Sequence, residues 1–249
     1  MAKKHSFDDI ISSQPLARKA ITESVYDDHY VHKLERGGKL PSNRRRQRIA
    51  IYRAIIGNGH GSILEIGCGF GDLTYHLAGC AEKIVGIDIS EKAIAAAKDR
   101  IALWPQVQGQ AAMIEFRQMS AVQLDFPDET FDWAISTSVV EHLHPEDVQS
   151  HLAEVLRVLK PEGKYILWCP NGLGHHKDRK GHFSMFSYSE WISRLTQAGF
   201  HHLRSTLATR PPLVDARLKV FLERAMFGLK IKTLWSHLGI RNVLLVASK

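Results

Sequence analysis

The chain has 249 residues, a net charge of +7 and 44% hydrophobic residues, which suits a soluble α/β domain with appendages. No apolar run approaches the roughly 20 residues of a membrane-spanning helix, and no long apolar segment follows the N-terminal lysines, so neither a span nor a secretory signal is expected. The three cysteines, Cys68, Cys80 and Cys169, lack metal or disulfide spacing. They favour a reducing, cytoplasmic location.

The positive charge is concentrated in two segments. Residues 33–53 carry eight Lys or Arg against one Glu, and residues 210–249 carry eight against two acids. An acidic body with two basic appendages indicates an anionic partner. The alternative is that both segments are solvated helix faces.

Short apolar runs alternate with helical stretches between residues 60 and 200, a pattern typical of parallel strands joined by crossover helices. The predicted strands are SILEIG (62–67), KIVGIDI (83–89), MIEFRQM (113–119), FDWAIST (131–137) and KYILWCP (164–170). The predicted helices cover 72–79, 91–103, 145–159 and 189–199, with Ser90 as the N-cap of the second. Pro161 and Gly163 are predicted to stop the third helix before the next strand.

LRSTLATR and NVLLVAS predict a sixth and a seventh strand. The fold expected is therefore a doubly wound, seven-stranded, mostly parallel sheet. We expect residues 1–56 to form an N-terminal helical cap and residues 57–249 the main domain. Within it, residues 211–239 are too long and apolar for a hairpin loop and predict a helical insertion, because apolar residues recur there at spacings of three and four.

The segment SILEIGCGFGD places a glycine-rich turn between a strand and a helix, which is typical of a nucleotide site at the carboxyl edge of a parallel sheet. Glycines let the backbone approach a ligand closely. Glu65 stands two residues before Gly67. Its charge would repel a pyrophosphate and would favour a cationic ligand.

A second acidic residue, Asp88, ends the second predicted strand, 21 residues after Gly67. At the tip of that strand a carboxylate can accept both hydroxyl groups of a ribose. The alternative role, that of a helix N-cap, is weakened by the glycine turn at this spacing.

The segments ILEIGCGFGDL, IVGIDIS, LDFPDETFDWAISTSVVEHL and EVLRVLKPEGKYIL, in this order, resemble the motifs of class I S-adenosylmethionine-dependent methyltransferases. The resemblance covers roughly residues 60–200. It is closest to the subgroup that contains quinone-biosynthesis enzymes and many natural-product and glycan O-methyltransferases. A Rossmann-like fold, S-adenosylmethionine as cofactor and methyl transfer as activity are what this resemblance implies.

The resemblance assigns a set of residues to the cofactor, with Ile89 packing on the adenine: Glu65, Gly67, Cys68, Gly69, Asp88, Ile89, Ser120, Ala121 and Thr137. One of these positions departs from the family pattern. Relatives commonly have an acid where this chain has Ser120, and that acid accepts a hydrogen bond from the adenine amino group. The serine hydroxyl or the neighbouring backbone would have to replace it.

The turn after the fourth strand, STSVVEHLH, faces the methyl group in this family. It lacks both the proline-rich sequence of amino-group methylators and the Pro-Cys pair of pyrimidine methylators. It offers Glu141 and His142 as catalytic candidates, because a base with a pKa near neutrality activates a hydroxyl acceptor. The alternative is a histidine that only caps or packs against the next helix.

No metal is expected. Some quinone-pathway relatives have E-x-x-E-H at this turn, whereas this chain has Ser138 in place of the first Glu. The later stretch contains His175, His176 and His182 among aromatic residues, and lacks the Cys or closely spaced His partner typical of zinc sites. A second base or an aromatic wall around the acceptor is the interpretation favoured there.

The function favoured is O-methylation of a small molecule or of a glycan or lipid intermediate. Arg44, Arg45 and Arg46 indicate an anionic group on the acceptor, and the 211–239 insertion indicates a lid or a contact with a membrane surface. An RNA methyltransferase is the first alternative, although no RNA-binding module flanks the core and nucleic acid is not expected. A cofactor-binding protein without catalysis is the second. The oligomeric state does not follow from the sequence.

Overall fold

A computed structural model of the chain has an α/β fold, in which the short apolar runs form strands that alternate with helices. It describes residues 5–35, 43–57, 61–103, 112–173, 181–207, 210–229 and 242–249. These residues fall into two compact units, Met1–Asp125 and Phe126–Lys249. Within the described ranges, no helix is long and apolar enough to cross a membrane.

The N-terminal unit begins with three helices and continues with a three-stranded parallel sheet in the order β3-β2-β1. Its elements are α1 (Phe7–Ser12), α2 (Pro15–Glu35), α3 (Asn43–Ile56), β1 (Ser62–Ile66), α4 (Asp72–Leu77), β2 (Lys83–Asp88), α5 (Glu91–Leu103) and β3 (Met113–Gln118). β1 and β2 are buried along almost their whole length, as strands covered on both faces are.

Two local predictions in this unit are confirmed. Helix α5 has the predicted bounds, 91–103. Its N-cap is Ser90, whose side-chain Oγ accepts a hydrogen bond from the backbone N–H of Ala93 at 3.1 Å. Helix α2 packs on α5 and α1 packs on α2. The N-terminal helices therefore cover the side of the sheet where α5 lies.

The C-terminal unit contains five strands in the order β4-β5-β8-β6-β7. Its elements are β4 (Phe131–Thr137), a 3-10 helix (Val140–His142), α6 (Val148–Val158), β5 (Leu159–Pro170), α7 (Tyr188–Ala198), β6 (His201–Leu207), β7 (Arg210–Asp215), α8 (Ala216–Leu229) and β8 (Asn242–Ser248). β4 and β5 are parallel, and β8 is antiparallel to both β5 and β6.

Strand β5 begins five residues earlier than predicted. Leu159 pairs with Phe131 of β4, and the next pair is Trp133 with Lys164, so residues 160–163 bulge out of the ladder. A bulge accommodates Pro161 and Gly163, the two residues that were predicted to stop the preceding helix. Helix α6 ends at Val158, and β5 begins at the next residue, before Pro161 and Gly163.

The segment after β6 corrects the expected strand count, since the described residues contain eight strands and not seven. Residues 211–215, predicted as part of a helical insertion, belong to β7, which pairs antiparallel with β6 alone in this unit. Proline has no backbone N–H to donate, and an edge strand tolerates it. Pro211 and Pro212 therefore do not prevent β7 from forming.

Helix α8 matches the predicted helical insertion from Ala216 onward, while residues 230–241 lie outside the described ranges. Leu218 and Phe221, two of the apolar residues spaced by three in this helix, are 41% and 67% exposed. Lys219, between these two residues, is buried, and this burial lowers its pKa to about 8. The helix therefore turns part of its apolar stripe toward solvent.

Gly71 offers a test of the packing behind the glycine turn. It has a φ of +74°, and a Cβ there would lie 2.7 Å from Cζ of Phe116. The Phe116 ring is itself buried against Ile94 and Ala97, so it has little room to shift. We expect Gly71→Ala to lower the free energy of unfolding by about 2–4 kcal/mol, from backbone strain and overpacking together.

Gly57→Ala is the matched control, measured in the same urea titrations. Gly57 has a φ of +77° with nothing within 4 Å of its Cβ position, so this variant reports the backbone strain alone. Equal losses in the two variants would contradict the steric account of Gly71.

Candidate functional site

Two backbone hydrogen bonds hold the glycine turn after β1 against the end of β2. The backbone N–H groups of Gly67 and Cys68 both donate to the carbonyl oxygen of Ile87, at 2.7 and 2.9 Å. Gly67 and Gly69 have φ values of +73° and +52°, a region that residues with a Cβ avoid. The turn therefore holds its backbone close to the tip of β2, as a ligand-binding turn requires.

Asp88 is buried at that tip and accepts hydrogen bonds on both carboxylate oxygens. Its Oδ2 accepts from the backbone N–H of Gly69 at 2.9 Å and from the hydroxyl of Tyr30 at 3.1 Å. Its Oδ1 accepts from the backbone N–H of Ser90 at 3.0 Å. The carboxylate thus joins the glycine turn, the start of α5 and helix α2.

The residues expected around the adenine lie at the ends of β2 and β3. Ile89 is half-buried, and its carbonyl oxygen accepts a hydrogen bond from the side-chain amide of Gln118 at 3.1 Å. Ser120 is buried, and its Oγ accepts from the N–H of Val122 at 3.4 Å. Ala121 is half-buried. A serine hydroxyl has a second lone pair, with which Ser120 can accept a further hydrogen bond.

Glu65 is buried in β1, where its carboxylate accepts a hydrogen bond from the hydroxyl of Thr74. Burial raises the pKa of Glu65 to about 8, with a smaller contribution from Asp72, while the Thr74 hydrogen bond acts in the opposite direction. Cys68, beside it, is also buried, and burial raises the pKa of its thiol. Cys68 therefore offers its backbone, and not a thiolate nucleophile.

In the C-terminal unit, Thr137 is the last residue of β4, and Ser138 follows with a φ of +56°. The N–H of Ser138 donates to the carbonyl oxygen of Trp168 in β5 at 2.8 Å. A residue with a Cβ is strained in this region, and such strain persists where surrounding contacts impose it. The bend at Ser138 leads into the short helix that carries Glu141 and His142.

Glu141 and His142 come together with His182, which is 40 residues further along the chain. The rings of His142 and His182 meet edge to face, with centroids 4.7 Å apart. One ligand-type atom from each of Glu141, His142 and His182 lies within 4.8 Å of the others. All three residues are candidates from the sequence, but their sequence positions did not predict that they form one cluster.

Hydrogen bonds to the backbone hold residues 181–184 against the short helix. The N–H groups of Phe183 and Ser184 donate to the carbonyl oxygen of Glu141, at 2.7 and 3.1 Å. The hydroxyl of Ser184 donates to the carbonyl oxygen of Leu143 at 2.8 Å. These three hydrogen bonds fix the chain directly after His182 and so position the segment that carries it.

The ring of His142 is oriented by a backbone carbonyl. Its Nδ1 lies 2.6 Å from the carbonyl oxygen of Gly181, and because a carbonyl only accepts, Nδ1 carries the proton. The lone pair of the neutral ring is then on Nε2. A histidine fixed in this tautomer can act as a base or as a metal ligand.

A carboxylate with two imidazoles is also a donor set that divalent zinc, manganese or iron accepts, and Glu141, His142 and His182 provide it. His175 and His176, the other histidines of the predicted acceptor segment, lie outside the described residues. Tyr30, by contrast, reaches the cofactor candidates although no sequence motif pointed to it. Only the packing of α2 brings it there.

Residues 64–167 match the family described as methyltransferase domain. Phosphatidylethanolamine N-methyltransferase of Cereibacter sphaeroides is 36% identical over 121 residues, 48% of this chain and 55% of that protein. Ubiquinone biosynthesis O-methyltransferase of Rhizobium rhizogenes is 34% identical over 101 residues, 41% of this chain and 38% of that protein. The chain thus spans about half or less of the length of these curated relatives.

The fold is also similar to that of a solved methyltransferase structure. A crystal structure of Burkholderia thailandensis 1,6-didemethyltoxoflavin-N1-methyltransferase, with bound 1,6-didemethyltoxoflavin and S-adenosylhomocysteine, gives a TM-score of 0.61 at 17% identity. The match covers 95% of this chain and 92% of that one. The match of residues 64–167 to the methyltransferase-domain family confirms the resemblance seen in the sequence, and the structural similarity confirms the Rossmann-like α/β fold.

The raised pKa of Glu65 makes the stability of the protein depend on pH. An acid whose pKa is about 8 when folded and about 4.5 when unfolded binds more protons in the folded state between those values. The free energy of unfolding therefore falls as pH rises from 4.5 to 8 and loses no more above 8. We expect Glu65→Gln, which cannot ionise, to remove this decline in urea titrations at pH 5, 6.5, 8 and 9.

Glu115→Gln is the control, because Arg117 lowers the pKa of the half-buried Glu115. Its contribution is already complete above pH 4.5, so this variant should shift stability by a constant amount between pH 5 and 9. If Glu65→Gln and the wild type give parallel stability curves, the carboxyl of Glu65 does not titrate in this range.

Proposed function

We propose that the protein is an S-adenosylmethionine-dependent methyltransferase that methylates an oxygen of a small molecule or of a glycan or lipid intermediate. The observation that carries this proposal is the buried Asp88 carboxylate, which is hydrogen-bonded to the glycine turn at 2.9 Å. An acceptor pair beside a glycine turn at the ends of parallel strands fits the ribose of a nucleoside cofactor. In this proposal residues 57–249 form the catalytic domain and residues 1–56 a helical cap.

The other cofactor roles are proposed from the family resemblance. Gly67, Cys68 and Gly69 present backbone to the ligand, and Ile89, Ser120 and Ala121 surround the adenine, with Thr137 as a further contact. Glu65 supplies negative charge toward the ammonium and sulfonium groups. Since a nearby cation favours the ionised form of an acid, binding of the cationic cofactor lowers the pKa of Glu65, and Glu65 releases its proton to solvent.

His142 is the proposed base. Methyl transfer is an in-line displacement, in which the acceptor oxygen forms a bond to the methyl carbon as the carbon–sulfur bond breaks and its electron pair stays on sulfur. The hydroxyl proton of the acceptor passes to Nε2 of His142, whose Nδ1–H is held by the carbonyl of Gly181. The buried carboxylate of Glu141, in the same cluster, stabilises the imidazolium that forms.

The choice of oxygen rests on this base and on one relative. The Rhizobium relative is by its name an O-methyltransferase, whereas the Cereibacter relative is an N-methyltransferase. A protonated amine would also need a base, but the turn lacks the sequence that holds a planar nitrogen. No specific observation favours the RNA methyltransferase or the non-catalytic protein, which become outcomes of the activity test.

A contact with anionic lipid is also proposed, on the cytoplasmic side of a membrane. Phe221 and Leu218 project from one face of α8 into solvent, beside the exposed Arg217. A groove of about 650 Å³ lies at the start of the same helix, and its lining includes His201, His202, Arg204 and Arg217. Exposed apolar side chains next to basic ones are what a helix resting on anionic lipid presents.

The activity test separates cofactor binding from chemistry with two variants. We expect Asp88→Asn to weaken the binding of S-adenosylhomocysteine in calorimetry roughly tenfold or more, because hydrogen bonds to a charged group are lost. We expect His142→Ala to bind with wild-type affinity and to lower turnover roughly 10²–10⁴-fold. His144→Ala is the control that should retain turnover, since the Nδ1 of His144 accepts a hydrogen bond from the N–H of Glu146 at 3.4 Å.

Turnover is measured as transfer of a tritiated methyl group into three cell fractions, namely small molecules with lipids, total RNA and total protein. The proposal expects label in the first fraction, in material stable to base as a methyl ether is. Label in RNA would support the first alternative. Binding of cofactor without label in any fraction would support the second. Loss of turnover with a chelator, restored by zinc or manganese, would make His142 a metal ligand and not the base.

The membrane contact has its own test, sedimentation with vesicles of phosphatidylcholine that contain one-third phosphatidylglycerol. We expect Phe221→Ser to lower the partition constant between water and vesicles roughly tenfold, because the transfer of an exposed phenylalanine into lipid is lost. Met113→Ser removes an apolar side chain that is equally exposed, on β3, and should leave binding unchanged. An unaltered Phe221→Ser would mean that α8 does not enter the lipid.

A further inference from the structure

Helix α2 is attached to the cofactor candidates by two polar side chains one turn apart. The hydroxyl of Tyr30 donates to Oδ2 of Asp88 at 3.1 Å. Oδ1 of Asp27 accepts from the hydroxyl of Ser90 at 2.5 Å and from the N–H of Lys92 at 3.4 Å. The helix is therefore bonded to the residues on both sides of Ile89, where β2 passes into α5.

The carboxylate of Asp88 has too few acceptor positions for all the partners that the proposed function gives it. An ionised carboxylate offers about four lone-pair positions. Gly69, Ser90 and Tyr30 occupy three of them. Two ribose hydroxyls need two positions, so one of the present donors has to leave before both can bind.

Tyr30 is the donor that can leave. The N–H groups of Gly69 and Ser90 are backbone groups within the turns that flank Asp88, so they move only if those turns refold. The phenol, by contrast, comes from a separate helix and needs only a shift of α2 or a rotation of its own side chain. Breaking one hydrogen bond is a small cost compared with remodelling a turn.

The ring of Tyr30 also covers the glycine turn. A Cβ at Gly69 would lie 3.0 Å from its hydroxyl oxygen, and the ring packs edge to face on Phe70 with centroids 5.1 Å apart. Burial and the Asp88 carboxylate raise the pKa of Tyr30 well above its usual value. The phenol therefore remains protonated and continues to donate at physiological pH.

We propose that the Tyr30 hydroxyl stands in for a ribose hydroxyl on Asp88, so that cofactor binding displaces Tyr30 and removes one of the two polar attachments of helix α2 to the β2–α5 turn. Tyr30 and the cofactor then compete for the Asp88 carboxylate. This inference rests on the proposed function, in which Asp88 binds the ribose.

The test is calorimetry of S-adenosylhomocysteine binding to the full chain with Tyr30→Phe, which keeps the ring and removes the competing hydroxyl. We expect binding to become roughly three- to tenfold tighter, because the ligand no longer has to break this hydrogen bond. Tyr26→Phe is the matched control: Tyr26 lies one turn earlier on α2, packs edge to face on Phe7, and should leave affinity unchanged.

Weaker binding in Tyr30→Phe would overturn the proposal, since the hydroxyl would then contact the bound cofactor. Unchanged affinity would overturn it as well. Hydrogen exchange gives a second measurement. The amides of residues 15–35 should exchange faster when S-adenosylhomocysteine is bound. Slower exchange would mean that α2 closes over the ligand, which would contradict the proposal. If Asp88→Asn binds like the wild type, the proposed ribose site itself is wrong, whatever Tyr30→Phe does.

Discussion

The hydrogen bonds of the Asp88 carboxylate are the constraint on which the N-terminal unit depends. One oxygen holds the glycine turn through Gly69 and the other holds the start of α5 through Ser90. Because the acid is buried, its charge has to be satisfied by such donors. The same need makes Asp88 an acceptor for any ligand that brings hydroxyl groups, and it makes Tyr30 a natural occupant of the site without a ligand.

The C-terminal unit uses backbone bonds for a comparable purpose. The carbonyl of Glu141 accepts two N–H groups from residues 183 and 184, which brings His182 to His142 although 40 residues separate them. The carbonyl of Gly181 then selects the tautomer of His142. A histidine oriented in this way has the lone pair of Nε2 available for a proton, and together with Glu141 and His182 it forms a possible donor set for a metal.

The sequence was sufficient for elements whose local pattern and final environment agree. β4, α5 and β8 have the predicted bounds, because their apolar runs or their caps act locally. β7 was missed, since its prolines argue against a strand except at an edge, and an edge is a property of the whole sheet. The burial of Lys219 and the position of Tyr30 were missed for the same reason, as both depend on packing between distant segments.

The most direct measurement is a crystal structure of the full chain with S-adenosylhomocysteine. We expect both ribose hydroxyls within hydrogen-bond distance of the Asp88 carboxylate, with the N–H groups of Gly69 and Ser90 still donating to it. The Tyr30 hydroxyl should be displaced from its present position 3.1 Å from Oδ2 of Asp88. A nucleoside bound elsewhere, with the Tyr30–Asp88 hydrogen bond intact, would contradict this expectation.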